Sequence, residues 1–582
     1  MQKKLSVAKK QILAFGCFSL IFISSNLLFY LLPTSIQRHY NLSTVTADGV
    51  SLKYDLYEPI DIEGSVKKPG IILAHGLMVN KDMMRFMAIE LARDGFIVIA
   101  HDFRSHGASG GNFNMMAQGI VDSLLHDAPS SNTTGTFPAS YNRSFLKADV
   151  DAIKAVLVAH PHVDPQNLGY LGFSMGAEAG FEILPYDPDF QATVGMGPTF
   201  NYDLVNNTSP RNLLLLVGRF DEAIRIDKLY TVMSYRTNLN TAQIESGKIY
   251  GTFSDGSASK LYIDPFAEHF LAPYNYHFIR EARAWFGQAL MGRNTTESSP
   301  VFPVMVFLVI FQIIGAFGMF IISSKILIQK YTHTRTSIEE TIPSVGKGFI
   351  PGLCLFLLVS SYPLMLTFIP VFAAPLLFSG MILFLMGGPT LGIWLFIKLY
   401  YRRQENTKVH YLKLLKQSTS AWNILIGLIN GAFLIFVLRF SLGNIFGIIP
   451  HPGKWGWFGF YGIVLTGLFI PLYWLFEIIS SKVRSLKAQT GLFTLKMGIQ
   501  TFFILSLIII TLIIVPCMIF NNYFVAMILI PIELLVALIA FIGAFIYHQN
   551  KDIFLAIIPN AMFGAVFLAV LSPIFELWHL TY

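Results

Sequence analysis

The chain passes through two regimes of hydrophobic patterning. An apolar run, Ile12–Leu32, follows Lys3, Lys4, Lys9 and Lys10. A bilayer core of about 30 Å needs roughly 20 helical residues, which this run supplies. A cleaved secretory signal has a shorter apolar region, about 7–15 residues, ending in small residues at the cut. This run ends in Leu-Leu-Pro, so the pattern predicts an uncleaved N-terminal anchor over residues 1–33. From Pro300 onward apolar runs alternate with short polar breaks, predicting helices near 301–324, 349–369, 374–397, 420–440, 456–479, 498–520, 524–547 and 553–575. With the anchor that makes nine, and residues 300–582 form a membrane domain of about eight. Pro363, Pro370, Pro375 and Pro389 mark 349–397 as the stretch where helices break or kink.

Residues 34–299 read differently, as strands alternating with helices. Ser51–Tyr57 alternates like a strand, and Gly70–Ala74, Phe96–Ala100, Leu168–Leu171 and Leu213–Val217 are short continuous apolar runs, with Tyr262–Ile263 a further strand. Between them, Met83–Arg93, Ala148–Ala159, Gly176–Ile183 and Tyr276–Leu290 carry helical periodicity. Continuous apolar strands separated by helices predict an α/β domain, a mostly parallel sheet covered on both faces.

Composition agrees with a polytopic membrane protein that carries a folded domain. The 582 residues are 53% hydrophobic and only 13% charged, about half the charge of an ordinary soluble chain. The net charge of +7 divides unevenly: −7 over residues 33–300 and +14 over the remainder. The folded domain is therefore acidic, which argues against nucleic acid as a partner. The basic excess instead orients the helices. With the N-terminus in the cytoplasm, cytoplasmic segments hold 19 Lys and Arg while the short external loops hold only Arg439 and Lys454. That split predicts an extracytoplasmic domain 34–299 and an extracytoplasmic C-terminus. Asn-x-Ser/Thr triplets at Asn41, Asn132, Asn142, Asn206, Asn207 and Asn294 all fall on the same side, although a polar, Asn-rich domain produces such triplets by chance. Cys17, Cys354 and Cys517 all lie in apolar runs, so neither a disulfide framework nor a Cys-rich metal site is expected.

The sharpest chemical motif is Gly172-Phe173-Ser174-Met175-Gly176, which follows a strand and opens a helix. A turn that raises a serine above a strand end needs small residues two positions to either side, and it leaves a helix N-terminus pointing at the hydroxyl. Such a serine needs an acid and then a histidine further along the chain. Asp221, in Gly218-Arg219-Phe220-Asp221-Glu222, follows the strand Leu213–Val217, and loops after parallel strands build the ligand crevice. Glu222 is the neighbouring alternative. His269 follows the Leu261–Ile263 strand and precedes the last helix; its rival His277 falls inside that helix, where packing is its ordinary role.

Taken together, these residues resemble the α/β-hydrolase superfamily, in particular its serine-aminopeptidase-like and dienelactone-hydrolase-like branches. The resemblance covers about residues 50–290. It rests on His75-Gly76-Leu77, on Asp102-Phe103-Arg104-Ser105-His106-Gly107-Ala108-Ser109-Gly110, on Gly172–Gly176, and on Asp221 and His269. Ser105 departs from the pattern, since relatives usually have glycine there. The resemblance implies that Ser174 attacks a carbonyl, His269 takes and returns the proton, and Asp221 holds the imidazole. It also implies an oxyanion hole from the backbone N–H groups of Leu77 and Met175, with no metal or organic cofactor. His75 is then a loop-shaping residue.

Residues 111–146 are long for a connection and read either as a surface loop or as a flap over the site. In the membrane domain, Arg439 and Glu477 lie near helix ends, whereas Glu533, Asn430 and Asn560 fall at membrane depth. A polar cluster there and ordinary interhelical hydrogen bonding are the two readings. The expectation is a membrane-bound serine hydrolase cleaving ester or amide substrates, lipid or peptide among them, with the lipid bilayer as its other partner. Tethers at residues 33 and 300 hold the domain close to the bilayer, which favours lipophilic or membrane-derived esters. Two alternatives stand beside it. One is a transporter or sensor with a hydrolase-like binding domain, and the other is an acyltransferase using the same three residues.

Overall fold

The computed structural model describes residues 2–60, 66–113, 144–198, 205–296, 299–332, 346, 348–373, 376–403, 420–448, 451–483, 538–547, 549–550 and 552–574. The N-terminal helix α1 (Gln2–Leu31) leads into strands β1 (Ile36–Val45), β2 (Ser51–Pro59) and β3 (Lys68–Ala74). Then come α2 (Arg85–Arg93), β4 (Ile97–His101), α3 (Ser144–Ala159), β5 (Val163–Phe173), α4 (Met175–Ile183) and β6 (Phe190–Met196). The domain closes with β7 (Leu213–Gly218), α5 (Ile226–Thr237), β8 (Ile249–Tyr250), β9 (Ser259–Asp264) and α6 (Tyr276–Met291). The strands form one sheet in the order β1-β2-β4-β3-β5-β6-β7-β9-β8. Strands β4, β3, β5, β6, β7 and β9 run parallel, while β1, β2 and β8 pair antiparallel at the two margins.

The parallel strands are apolar on both faces because helices cover both. Along β3, Ile71 and Leu73 face the layer that holds Phe86, Phe278 and Phe286 of α2 and α6. Ile72 and Ala74 face the layer that holds Val150, Ile153 and Leu157 of α3. The α2–α6 layer is fastened by a buried ion pair. Arg283 donates to both carboxylate oxygens of Asp94 at 2.7 Å, and both side chains are 1% exposed.

Beyond the sheet follow α7 (Phe302–Tyr331), α8 (Phe349–Met365), α9 (Leu377–Arg403), α10 (Ala421–Arg439), the single turn α11 (Gly443–Phe446), α12 (Trp455–Val483), α13 (Leu538–Tyr547) and α14 (Ile553–Leu571). Among the described residues seven helices are long and apolar enough to cross a membrane: Lys9–Leu31, Phe302–Tyr331, Phe349–Pro370, Ile382–Arg403, Ala421–Arg439, Pro452–Leu475 and Ile553–Leu571. Of the nine expected, 498–520 lies outside the described residues and 524–547 is described only as the short apolar helix Leu538–Tyr547. Pro363 and Pro389 sit inside α8 and α9, and Pro370 lies in a tighter 3-10 segment between them. Glu533 is outside the described residues. Asn430 accepts from Ser324 at 2.7 Å and Asn560 donates to Tyr473 at 2.7 Å, so both serve as hydrogen-bond links between helices.

The sheet domain and the helices share a core. Phe29 of α1 and Phe302, Met305, Leu308 and Val309 of α7 lie in the same buried cluster as Phe86, Leu171 and Trp285. Helix α1 packs along α7, where Gly315 and Gly318 leave room for Phe22 and Phe18. Fully burying a phenylalanine contributes about 1.5–3 kcal/mol, so Phe29, Phe86 and Phe302 weld the domain to its tethers.

Breaking a buried ion pair costs about 3–5 kcal/mol, toward the lower end here because Arg283 keeps Glu90 at 3.6 Å. We expect Asp94→Ala to lower stability by that amount. The check is the denaturation midpoint of the full chain in detergent, followed by tryptophan fluorescence; an unchanged midpoint would show that the Arg283 pair does not fasten α2 to α6.

Candidate active site

Strand β5 stops at Phe173 and α4 starts at Met175, which leaves Ser174 alone to reverse the chain. Its backbone is left-handed, with φ +51° and ψ −117°. The turn closes only because glycines flank it. A Cβ on Gly172 would strike the backbone of Gly176 and Ala177, and one on Gly176 would come within 2.5 Å of Ala74 O. The Ser174 amide donates to Met196 O at 2.9 Å, which ties the turn to β6.

The loops after β7 and β9 bring an acid and an imidazole to this serine. His269 Nε2 lies 3.1 Å from Ser174 Oγ, and His269 Nδ1 lies 3.0 and 2.9 Å from the two Asp221 carboxylate oxygens. The His269 and Asp221 side chains are 4% and 0% exposed. Asp221 Oδ1 also accepts from the amides of Ala223 and Ile224 at 3.0 and 2.9 Å, so the carboxylate is held before it meets the ring. The two loops are stitched together by Phe220 N donating to Ala267 O at 3.0 Å and by Arg219 N donating to Asp264 O at 2.8 Å. Burial alone would depress the His269 pKa. The adjacent Asp221 carboxylate, with Glu222 and Glu268 further off, outweighs burial and raises it above the ordinary value.

The alternatives fall elsewhere. Glu222 does not reach the imidazole: its Oε2 accepts from the His269 backbone amide at 3.4 Å. Burial, then the nearby Glu268, raises its pKa. His277 was expected to pack within the last helix, but it is exposed in the first turn of α6 beside Tyr276. His75 has both ring nitrogens committed to backbone. Nε2 accepts from Phe103 N at 3.1 Å, so Nδ1 carries the proton and donates to Gly76 O at 2.7 Å. Burial lowers its pKa to about 4, so it is a neutral, loop-shaping residue.

Of the two expected amide donors, Met175 directly follows the serine and Leu77 follows Gly76. Met175 opens α4, where the first amides have no intrahelical acceptor. Gly76 packs against the nucleophile, since a Cβ there would lie 3.2 Å from Ser174 Cβ and collide with the Phe173 ring. Leu77 follows directly, and Met78 holds φ +62°, a strained conformation of the kind that functional sites retain. Gly197 is a site residue with no motif to announce it. Its φ is +53°, and a Cβ there would lie 2.9 Å from His269 Nδ1.

A hydroxyl, an imidazole and a buried carboxylate in line, at the N-terminus of a helix, can perform acyl transfer. Among the described residues no group of three or more His, Cys, Asp or Glu is arranged to hold a metal ion. The stretch 111–146, read as a loop or flap, lies largely outside the described residues.

Residues 58–245 match the family model "Dienelactone hydrolase family". That span includes Ser174 and Asp221 and stops before His269. No curated protein matches the chain. Solved structures similar to it include an esterase of Pyrococcus furiosus (17% identity, 45% of this chain and 96% of that one, TM-score 0.32). Others are a hypothetical protein of Pseudomonas aeruginosa (14% identity, 45% and 96%, TM-score 0.31) and an alpha/beta hydrolase of a Penicillium species (10% identity, 44% and 99%, TM-score 0.30). The family match, the mostly parallel sheet and the long apolar helices together describe a dienelactone hydrolase family domain of α/β-hydrolase fold, joined within one chain to helices able to cross a membrane.

Proposed function

We propose that the chain is a membrane-bound serine hydrolase that cleaves carboxylic esters or amides through Ser174, His269 and Asp221. The family supplies the hydrolase activity in general terms, and the observation that carries the finer reading is the unbroken line from Ser174 Oγ through His269 to Asp221. In this reading residues 1–33 anchor the chain, 34–299 is the extracytoplasmic hydrolase and 300–582 is the membrane domain. The lysine and arginine distribution supports that orientation.

The chemistry follows from the atoms. Ser174 Oγ attacks the substrate carbonyl carbon while its proton passes to His269 Nε2. Asp221 accepts from His269 Nδ1–H, which fixes the tautomer with Nε2 free to act as base and favours the imidazolium once formed. The carbonyl oxygen, now negative, sits against the N–H groups of Leu77 and Met175. Each such donor is worth about 2.7–4 kcal/mol in the transition state. The leaving alcohol or amine takes the proton from His269. Water, deprotonated by the same ring, then cleaves the acyl-enzyme and restores the serine.

Two measurements test this reading. A fluorophosphonate probe should label the full chain in detergent and fail to label Ser174→Ala; equal labelling of both would end the assignment. The second is a pH profile. His269 must be neutral to act as base, and its neighbours raise its pKa, so kcat/KM should climb with pH through an apparent pKa above the ordinary histidine value of about 6.5. Asp221→Asn should lower kcat by about 10⁴ and move that apparent pKa downward. An Asp221→Asn profile superimposable on wild type would assign the acid role elsewhere.

A further inference from the structure

Resting on that reading, we propose that the active site opens onto the bilayer surface and takes as substrate an ester-linked lipid of the adjoining leaflet. The argument begins with the carboxyl edge of the sheet. All six parallel strands end there, and Ser174, Asp221 and His269 follow β5, β7 and β9 on that edge.

The helices able to cross a membrane meet the same edge. After β3, Asn80 Nδ2 donates to Phe446 O, and Arg85 Nη1 donates to Asn444 O at 3.1 Å. After β4, Ser105 Oγ donates to Ile574 O at 2.9 Å and Phe113 N donates to the same oxygen at 2.7 Å, while Gly107 O accepts from His451 N at 3.3 Å. After β9, Tyr274 OH donates to Ile445 O at 2.9 Å, and the Phe270 ring stacks on Phe446 at 5.9 Å and 20°. Residues 440–451 join the spans Ala421–Arg439 and Pro452–Leu475, and Ile574 comes just after the span Ile553–Leu571. Every one of these partners therefore stands at the end of a membrane helix, where the headgroup region begins. The domain sits with its active-site edge toward the bilayer, and Phe270, next to His269, rests on a loop at that boundary.

The same edge carries large apolar side chains without cover. Phe220, beside Asp221, is 62% exposed; Phe266 and Leu271, on either side of His269, are 85% and 50% exposed. Tryptophan at the helix entrance marks the interfacial level: Trp455 opens α12 and is 50% exposed. An apolar rim around a hydrolytic site, continuous with a contact onto membrane helices, is matched by acyl chains rather than by water. Glycerolipid esters lie at the boundary of hydrocarbon and headgroups, which is the level of Phe446 and Phe270. Ser174 Oγ would bond to the acyl carbon, the lipid alcohol would leave with the proton held on His269, and water would release the fatty acid.

The test uses the full chain in lipid nanodiscs. Two probes are compared: a fluorogenic long-chain acyl glycerol ester embedded in the disc, and soluble p-nitrophenyl acetate. We expect wild type to favour the embedded ester by at least tenfold in kcat/KM, and Phe266→Ser to reduce the long-to-short ratio at least fivefold. Leu271→Ser gives the same readout should the first variant not fold. A wild-type ratio at or below one, or a ratio that neither substitution moves, overturns the lipid assignment while fluorophosphonate labelling of Ser174 persists. Absence of that labelling in wild type overturns the serine-hydrolase reading, and this one with it.

Discussion

The site depends on the reversal of the backbone at Ser174. A non-glycine residue at φ +51° carries a strain of about 1–3 kcal/mol, and here the surroundings leave the chain no other course. Gly172 and Gly176 let α4 fold back onto the end of β5, and the Ser174 amide is held by β6. The chemistry follows from the same geometry. The hydroxyl stands at the N-terminus of α4, Gly76 leaves space beside the Ser174 side chain, and Gly197 leaves space for the His269 imidazole. Four missing side chains shape the site as much as the three that meet in it.

A second constraint joins the hydrolase to the helices. At their junction Lys81 meets Asp55 at 3.0 Å, Arg85 meets Asp82, and Asn444 receives hydrogen bonds from Tyr30 OH at 2.8 Å and Arg85 Nη1 at 3.2 Å while donating to Gln312 at 3.0 Å. Burial alone would lower the Lys81 pKa, but Asp82, Asp55 and Asp102 outweigh burial and raise the pKa above the ordinary value. Buried charges are weak glue, because desolvation offsets most of their attraction. They are strict about position, since a small slip leaves a charge unpaired in a low-dielectric setting. Apolar contacts between Phe29, Phe86 and Phe302 hold the domain down, and the polar junction sets its orientation.

What could be read from the sequence was local. Ser174, Asp221 and His269 each follow an apolar strand, and the motif around Ser174 lies within five residues, so composition and spacing were enough to nominate them. Five of the six parallel strands were legible for the same reason. Strand β1 was not, because Ile36–Val45 is mostly polar and its register slips between His39 and Leu42, where Asn41 takes φ +56°. Strand β6 was missed because Phe190–Met196 is short and interrupted by Gln191 and Gly195. Gly197, with no motif around it, shows its purpose only once His269 is beside it. Asn444 and Phe446 were beyond sequence reasoning altogether, since their partners lie hundreds of residues away and their own segment reads as an ordinary turn between apolar helices.

Ser105 shows how closely the two parts are fitted. The resemblance to other hydrolases leads one to expect glycine there, and the conformation agrees: φ is +66°, in the region where glycine is cheap and serine is strained by about 1 kcal/mol or more. Here the residue is buried, and its hydroxyl both donates to Ile574 O and accepts from Ile574 N, satisfying two backbone groups just past the end of α14. Without that hydroxyl the Ile574 carbonyl would keep Phe113 N, but the Ile574 amide would lose its partner, and an unpaired buried donor costs about 1–3 kcal/mol. The hydroxyl therefore offsets the strain of its own backbone. An isolated domain has no Ile574 to bond, whereas one whose loop after β4 is seated on the helices does.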